Sequence, residues 1–463
     1  MAESAAPLTR NAAPPELERR LGAVDAAAVI VANVIGGGIL FTPPLVAAGV
    51  PHALLFLAAW AAGGVLAFAG AMAYAELAAL RPRAGGEYVY LREAFGPLLA
   101  FLTGWTSFVA GFSGAIATSA AVFAIYLGRF VPQAGSEAAL FTLPVLPGWL
   151  ELAFSPRALT AIGLIALFSF IHLRGVGPGT LVSNTLAALK IGALVLFIVV
   201  GFSLGEGDVA GLAQTGAVAP SGFLLALIPV MFTYSGWNAA SYIAEEISGP
   251  GRNVPRAFAL GTAAVIAIYL LLNLLYLYVV PVDALAKVEG SVLDVVADRL
   301  LGARAGDIMA VIALISLSAS VSAMTFAGPR VYFAMARDGL FFARAGAVHA
   351  RYRTPANAIV AQASWSALLV LSAKADALVK YTGFAIMLFS GVAVASLFVL
   401  RSKNPDEPRP FRAWGYPVFP GVFAAAALLI VANALLGEPG QFLTGLAIIA
   451  AGLPLFLWMR RRG

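Results

Sequence analysis

Residues 26–49 read AAAVIVANVIGGGILFTPPLVAAG, an apolar stretch long enough to cross a bilayer but interrupted at its centre by Gly36, Gly37 and Gly38 and one turn later by Pro43 and Pro44. Three successive glycines hold a helix poorly and a proline pair breaks a helix interior, so this span is predicted to be discontinuous in mid-membrane. Lipid offers no hydrogen bonds to the freed backbone groups, so a break at that depth is tolerated only where it lines a polar cavity or is buried in protein. Residues 224–248, LLALIPVMFTYSGWNAASYIAEEIS, repeat the pattern, with Pro229 early and Ser235-Gly236 near the centre. A small-residue packing face would explain the first interruption taken alone. Two interruptions at matching positions point instead to one site flanked by both spans.

The rest of the chain sets the context. With 61% hydrophobic and 11% charged residues among 463, and a mean hydropathy of +0.90, the chain cannot cover the surface of a soluble domain. Apolar runs of about 20 residues recur from Val24 to Met459. Twelve spans are predicted, centred near Ile35, Ala67, Gly114, Leu164, Leu194, Thr233, Leu271, Val321, Ala363, Phe389, Ala426 and Ala450. With both termini inside, 20 Lys/Arg fall on cytoplasmic segments and 7 outside, the asymmetry of the positive-inside rule. The formal charge of +6 therefore reports topology, not nucleic-acid binding. Residues 1–20 lack the apolar core of a signal peptide and read as a cytoplasmic tail. The absence of cysteine excludes disulfides and thiol chemistry, and His52, His172 and His349 stand in separate segments, so neither a metal site nor a cofactor is expected. Without a nucleophile or paired mid-membrane carboxylates, an enzyme is not expected either.

The interrupted spans are the first and the sixth, each opening a set of five. Five is odd, so the second set is inverted, the arrangement in which substrate sits at the midplane between two halves. The predicted organisation is a first repeat over 21–204, a second over 220–402 and two further spans over 413–459. The half-helix resuming after Gly38 offers backbone N–H groups and a positive dipole end to a carboxylate. Half-helices ending near Val34 and Phe232 offer carbonyls to an ammonium group. An α-amino acid carries both groups on one carbon.

Four segments carry a family resemblance: IGGGILFTPP (35–44), PRAGGEYVYLREAFG (82–96), FTYSGWNAASYIAEEISGPGRNVPRA (232–257) and FAGPRVYFAMARDG (326–339). Together they resemble the L-type amino acid transporters of the amino acid, polyamine and organocation superfamily, over about residues 22–430. The resemblance implies an all-α integral membrane fold with the LeuT-like five-plus-five inverted repeat, and secondary active transport of amino acids, by sodium-independent exchange or proton symport. It also implies that backbone N–H groups of Gly36, Gly37 and Gly38 hold the substrate carboxylate, and that carbonyls of Val34, Phe232 and Ser235 take its amino group. Phe232 would gate the site from outside, while Thr233 and Asn238 line or buttress it. This chain departs from the family pattern in having Gly37 for a serine and Ser235 for a glycine.

Lys190, in TLVSNTLAALKIGALVLFIVVG (180–201), lies too deep to snorkel easily, and a charge there costs roughly 2.5 to 3.5 kcal/mol on insertion scales, so a cavity or partner is expected. The resemblance places it where sodium-coupled relatives hold a cation, bridging the first, fifth and eighth helices. It is read as a tether or a proton carrier. Ser318, Ser322 and Thr325 share one face of span 8 and are candidates to sit beside it. Glu245, Glu246 and Asp25 are expected to pair with cytoplasmic arginines. Spans 3 and 10 carry no mid-depth carboxylate, which favours neutral amino acids over cationic ones or polyamines. The expected setting is a bacterial inner membrane. Lacking cysteine, the chain is expected to have no disulfide-linked heavy subunit.

Overall fold

The computed structural model describes residues 16–146, 150–204, 207, 212–302, 305–372, 375–437 and 439–461, so most of the 1–20 tail lies outside the described residues. Helix α1 (Ala23–Val34) stops at Ile35, whose extended backbone (ψ 94°) ends it before the glycines. A single turn, α2 (Gly38–Phe41), and then α3 (Pro43–Gly49) complete the first crossing, with the prolines in the first turn of α3, where no N–H is needed. Next come α4 (Ala53–Leu80), α5 (Glu87–Phe95), α6 (Pro97–Thr106), a π-helical turn at Ser107–Gly111 and α7 (Phe112–Leu127). Strands β1 (Phe141–Leu146) and β2 (Leu150–Phe154) precede α8 (Pro156–Leu173) and α9 (Val176–Leu204).

The second part opens with α10 (Pro220–Thr233), broken by a turn from the single-turn α11 (Ala239–Tyr242), and a 3-10 turn (Ala244–Glu246) leads into α12 (Pro250–Val279). Helices α13 (Val282–Leu285), α14 (Val292–Leu301), α15 (Ala305–Ala327), α16 (Pro329–Arg337), α17 (Ala356–Leu371), α18 (Ala375–Lys403), α19 (Val418–Gly437), α20 (Pro439–Ala450) and α21 (Gly452–Arg460) follow. Among the described residues, 10 helical stretches are long and apolar enough to cross a membrane. The sequence reading counted twelve. The difference is α10 and α17, of 14 and 16 residues, which reach only about 21 and 24 Å against a hydrocarbon core of about 30 Å. Helix α10 is short because the chain breaks at Thr233.

Strands β1 and β2 correct the all-α expectation locally. Their antiparallel register sets Phe141 opposite Phe154, with the two rings stacked at 4.4 Å, and it slips between Pro144 and Leu146, where proline cannot donate to the ladder. This hairpin marks one end of the bundle; α5 marks the other.

The packing follows from who needs burial. Helix α12 lies against α1 and α4, and α15 against α7, α9 and α1. Trp60, Tyr234 and Tyr269 meet in a tilted and edge-on cluster behind the two breaks. In contrast α9 and α19 turn Leu181, Leu196, Leu428 and Leu429 outward, each more than 60% exposed, as lipid-facing helices do. The α5 end is laced with ion pairs, including Arg81 with Glu93 and Glu407, and Glu76 with Arg401 and Arg409.

Candidate functional site

The last turn of α1 and the turn between α10 and α11 border one cavity of about 190 Å³. Asn33, in the last turn of α1, faces Ser235, Gly236 and Asn238 in the turn between α10 and α11. Gly236 has φ +101°, and a Cβ there would lie 3.2 Å from the Asn33 carbonyl group, so only glycine lets the two breaks approach this closely. Thr103 and Thr106 of α6, Ser107 and Gly111 of the π turn, and Ala385, Phe389 and Ser390 of α18 close the walls. The π turn interrupts the third span beside the cavity, a common place for such a bulge.

Of the residues singled out from sequence, Ser235 and Asn238 line this cavity; Val34, Gly36, Gly37, Gly38, Phe232 and Thr233 are not among its lining residues. The N–H groups of Gly36, Gly37 and Gly38 find no acceptor among the described residues. Added side chains at Gly36 or Gly37 would make ordinary contacts, whereas a Cβ on Gly38 would press within 3.1 Å of the Thr233 backbone. The Val34 carbonyl takes the Tyr269 hydroxyl at 2.9 Å and that of Thr233 lies 3.2 Å from the same oxygen, so one phenol joins both broken ends. The Phe232 carbonyl accepts the Ser235 N–H at 3.0 Å, and its ring is 45% exposed. Thr233 buttresses the pair of breaks through its hydroxyl, 2.8 Å from that of Thr42.

Tyr269 was not legible in the sequence, because nothing marks one tyrosine of an apolar helix as a clasp. Tyr269→Phe removes the one hydroxyl proton that the buried Val34 and Thr233 carbonyls share, and a loss of about 1–2 kcal/mol is expected in thermal unfolding. An unchanged melting transition would reduce the phenol to packing.

Lys190 lies about 21 Å along α9 from its start at Val176. Its ammonium, 1% exposed, donates to the Ala32 carbonyl (3.1 Å), the Ile35 carbonyl and the Ser320 hydroxyl (3.1 Å). Three protons meet three acceptors, and two of these are orphan carbonyls at the end of α1, where a cation is favoured. Ser318 and Ser322 are not those partners. Ser320 stands about 200° around α15 from either, and Ser322 turns instead to His172 (3.0 Å) and Ser183 (3.1 Å). The acidic expectations divide similarly. Glu245 pairs with Arg337 and Glu246 with Arg330, each at 2.8 Å, but Asp25 caps α1 and accepts from Asn184 at 2.6 Å.

The feature that sequence reading missed is Glu87. It opens α5, between the membrane-crossing helices, yet it is 9% exposed and lines the cavity. Its carboxyl accepts the Tyr242 hydroxyl at 2.7 Å and lies 3.5 Å from the Asn238 amide, and no arginine or lysine pairs with it among the described residues. Burial pushes it up to about 7, against the opposing pull of those hydrogen bonds. Spans 3 and 10 do lack a carboxylate; the cavity receives one from a neighbouring element.

The chain is similar to known proteins. The amino acid permease family profile matches residues 21–458. Large neutral amino acids transporter small subunit 2 of Mus musculus is 30% identical over 448 residues, 95% of this chain and 81% of that protein. Asc-type amino acid transporter 1 of Mus musculus is 29% identical, covering 95% and 81%, and the cystine/glutamate transporter of Homo sapiens is 28% identical, covering 97% and 88%. The match takes in both breaks and every wall of the cavity, so this integral membrane protein is a transporter, not an enzyme, and belongs to the amino acid permease family.

Proposed function

We propose that the chain moves amino acids across the membrane by alternating access, as a sodium-independent exchanger or a proton symporter of neutral L-amino acids. The observation that carries this reading is the pair of broken helices meeting at one cavity, where backbone groups can take both ends of a zwitterion. In the proposed cycle the free amides of Gly36, Gly37 and Gly38 receive the carboxylate, one turn beyond Asn33, and carbonyls at Val34, Phe232 and Ser235 receive the ammonium. The exposed Phe232 ring closes over the bound molecule. The relatives, which include transporters of large neutral amino acids, support the substrate class.

The same reading takes the helices as twelve crossings in two inverted sets of five plus two, α10 with α11 and α17 supplying the short ones. It sets both termini and the arginine-laced α5 end in the cytoplasm of a bacterial cell, by the positive-inside asymmetry. No disulfide-linked subunit is part of it, there being no cysteine to form the bridge.

Purified protein in proteoliposomes should take up radiolabelled leucine or alanine when the interior holds unlabelled neutral amino acid, several-fold above protein-free vesicles and without sodium. Uptake of arginine or a polyamine in preference to both would replace the neutral substrate class with a cationic one, which the Glu87 carboxyl in the cavity wall would serve. No counterflow of any of these would sink the assignment.

A further inference from the structure

Glu87 poses a problem that amino acid binding leaves unsolved. A carboxyl buried in a transport cavity, held by a phenol, an amide and its own backbone N–H and facing no cation, is stable there only if it takes up a proton or a positively charged ligand. A neutral zwitterion brings its ammonium to the carbonyls at the breaks and has no second positive charge for Glu87.

The surroundings favour the proton. The titratable groups facing Glu87 are Tyr74 of α4, Tyr90 of α5 and Tyr242 of α11, all neutral phenols. The 3-10 turn and α16 carry Glu245, Glu246, Arg330 and Arg337, which pair with one another. Helix α6, the π turn, α15 and α18 present threonine, serine, methionine and apolar side chains to the cavity. A second cavity of about 240 Å³, charged by Arg83, Glu93 and Asp338 among others, is lined by Ala84, only three residues before Glu87. The segment between them is glycine: Gly85 donates its N–H to the Tyr242 carbonyl at 3.2 Å, and a Cβ on Gly86 would strike Ser241 and the Tyr242 ring at 2.6 Å. The chain leading from one cavity lining to the other is thus this glycine pair, braced by the residue that hydrogen-bonds Glu87.

We propose that Glu87 is the proton-binding site of the transport cavity, so that one proton travels with each neutral amino acid. This rests on the transport reading above and selects symport within it. The carboxylate takes a proton from water entering on the hairpin side, stays the neutral acid while access to the cavity switches to the other side, and releases the proton through the charged cavity at the α5 end. No other group gains or loses a charge in the cycle.

With the carboxyl titrating near 7, its protonated fraction falls about tenfold between about pH 6 and about pH 8, and the apparent Kd for leucine should rise about tenfold over that interval. The test is leucine binding at both pH values and leucine uptake into proteoliposomes with and without an inward proton gradient, for wild type, Glu87→Gln and Glu87→Asp. Wild type should show the tenfold ratio and gradient-driven accumulation. In Glu87→Gln both ratios should fall to near one, whatever its absolute affinity, and Glu87→Asp should restore a pH response displaced along the pH axis. A pH ratio that survives in Glu87→Gln overturns the proposal. So does wild type that ignores the gradient, even though its counterflow would still uphold amino acid exchange. Selective loss of arginine counterflow in Glu87→Gln, with the pH response kept, would make Glu87 a cation-binding residue instead. Should Glu87→Gln fail to fold, the wild-type and Glu87→Asp profiles decide the matter alone.

Discussion

Replacing Arg330 by methionine lowers the stability of the folded chain by about 3–5 kcal/mol, because it strands a carboxylate in the protein interior. Arg330 and Glu246 are 1% and 0% exposed and share two hydrogen bonds, of 2.8 and 3.1 Å. The guanidinium also bonds the Phe326 carbonyl and lies 4.0 Å over the Phe326 ring, so nothing nearby can replace it. Glu246 in turn holds the segment before α1: its carbonyl accepts the N–H groups of Arg20 and Leu21, and Ser248 donates to Leu21. Loss of the pair should loosen the α5 end as well as the core. The decisive measurement is a double-mutant cycle by thermal unfolding in detergent. Arg330→Met and Glu246→Met should each be severely destabilised, and the double variant, having no stranded charge, should recover much of the loss. Strictly additive losses would show that the two residues stabilise the fold separately and that the ion pair is not the unit.

The discontinuities were legible because glycine and proline act on their own stretch of backbone. Gly36 to Gly38, Pro43, Pro44 and Ser235-Gly236 interrupt a helix whatever surrounds them, and the structure breaks the chain at those places. What those breaks face is a different kind of fact. Asn33, Thr103 and Ser390 reach the cavity from three separate helices, and Glu87 reaches it from a segment that hydropathy places between two spans. No pattern within residues 82–96 says that their first acidic residue points inward. Helical phase gave a partial answer at α15: Ser318, Ser322 and Thr325 do share a face, but a helix this thoroughly buried has neighbours all round. Which face meets Lys190 is decided by packing against α1 and α9, not by the serine spacing. The β1–β2 hairpin escaped notice for a simpler reason, since its short strands lie in a connection outside the apolar spans.

Lys190→Met should abolish leucine counterflow, to below about a tenth of the wild-type rate, while the purified protein remains folded. Methionine keeps the length and apolar stem of lysine but supplies no donor. The carbonyls of Ala32 and Ile35 then keep only the Ser320 hydroxyl, 3.1 and 3.3 Å away, which has one proton to share between them and its own helix at Ser316. An unsatisfied buried carbonyl costs about 1–3 kcal/mol, enough to displace the frayed end of α1 but less than the Arg330 loss. Because that end leads directly into the glycine triplet, its displacement misplaces the amides assigned to the substrate carboxylate. Lys190→Arg should not rescue: its planar fork cannot converge three protons on acceptors grouped around a compact ammonium. Counterflow above half the wild-type rate in Lys190→Met would remove the lysine from the mechanism. The pH profile separates two further roles. If Lys190 only tethers, whatever transport remains in the variant keeps the tenfold response ascribed to Glu87; if that response vanishes while Glu87 is intact, the lysine carries the proton and Glu87 does not.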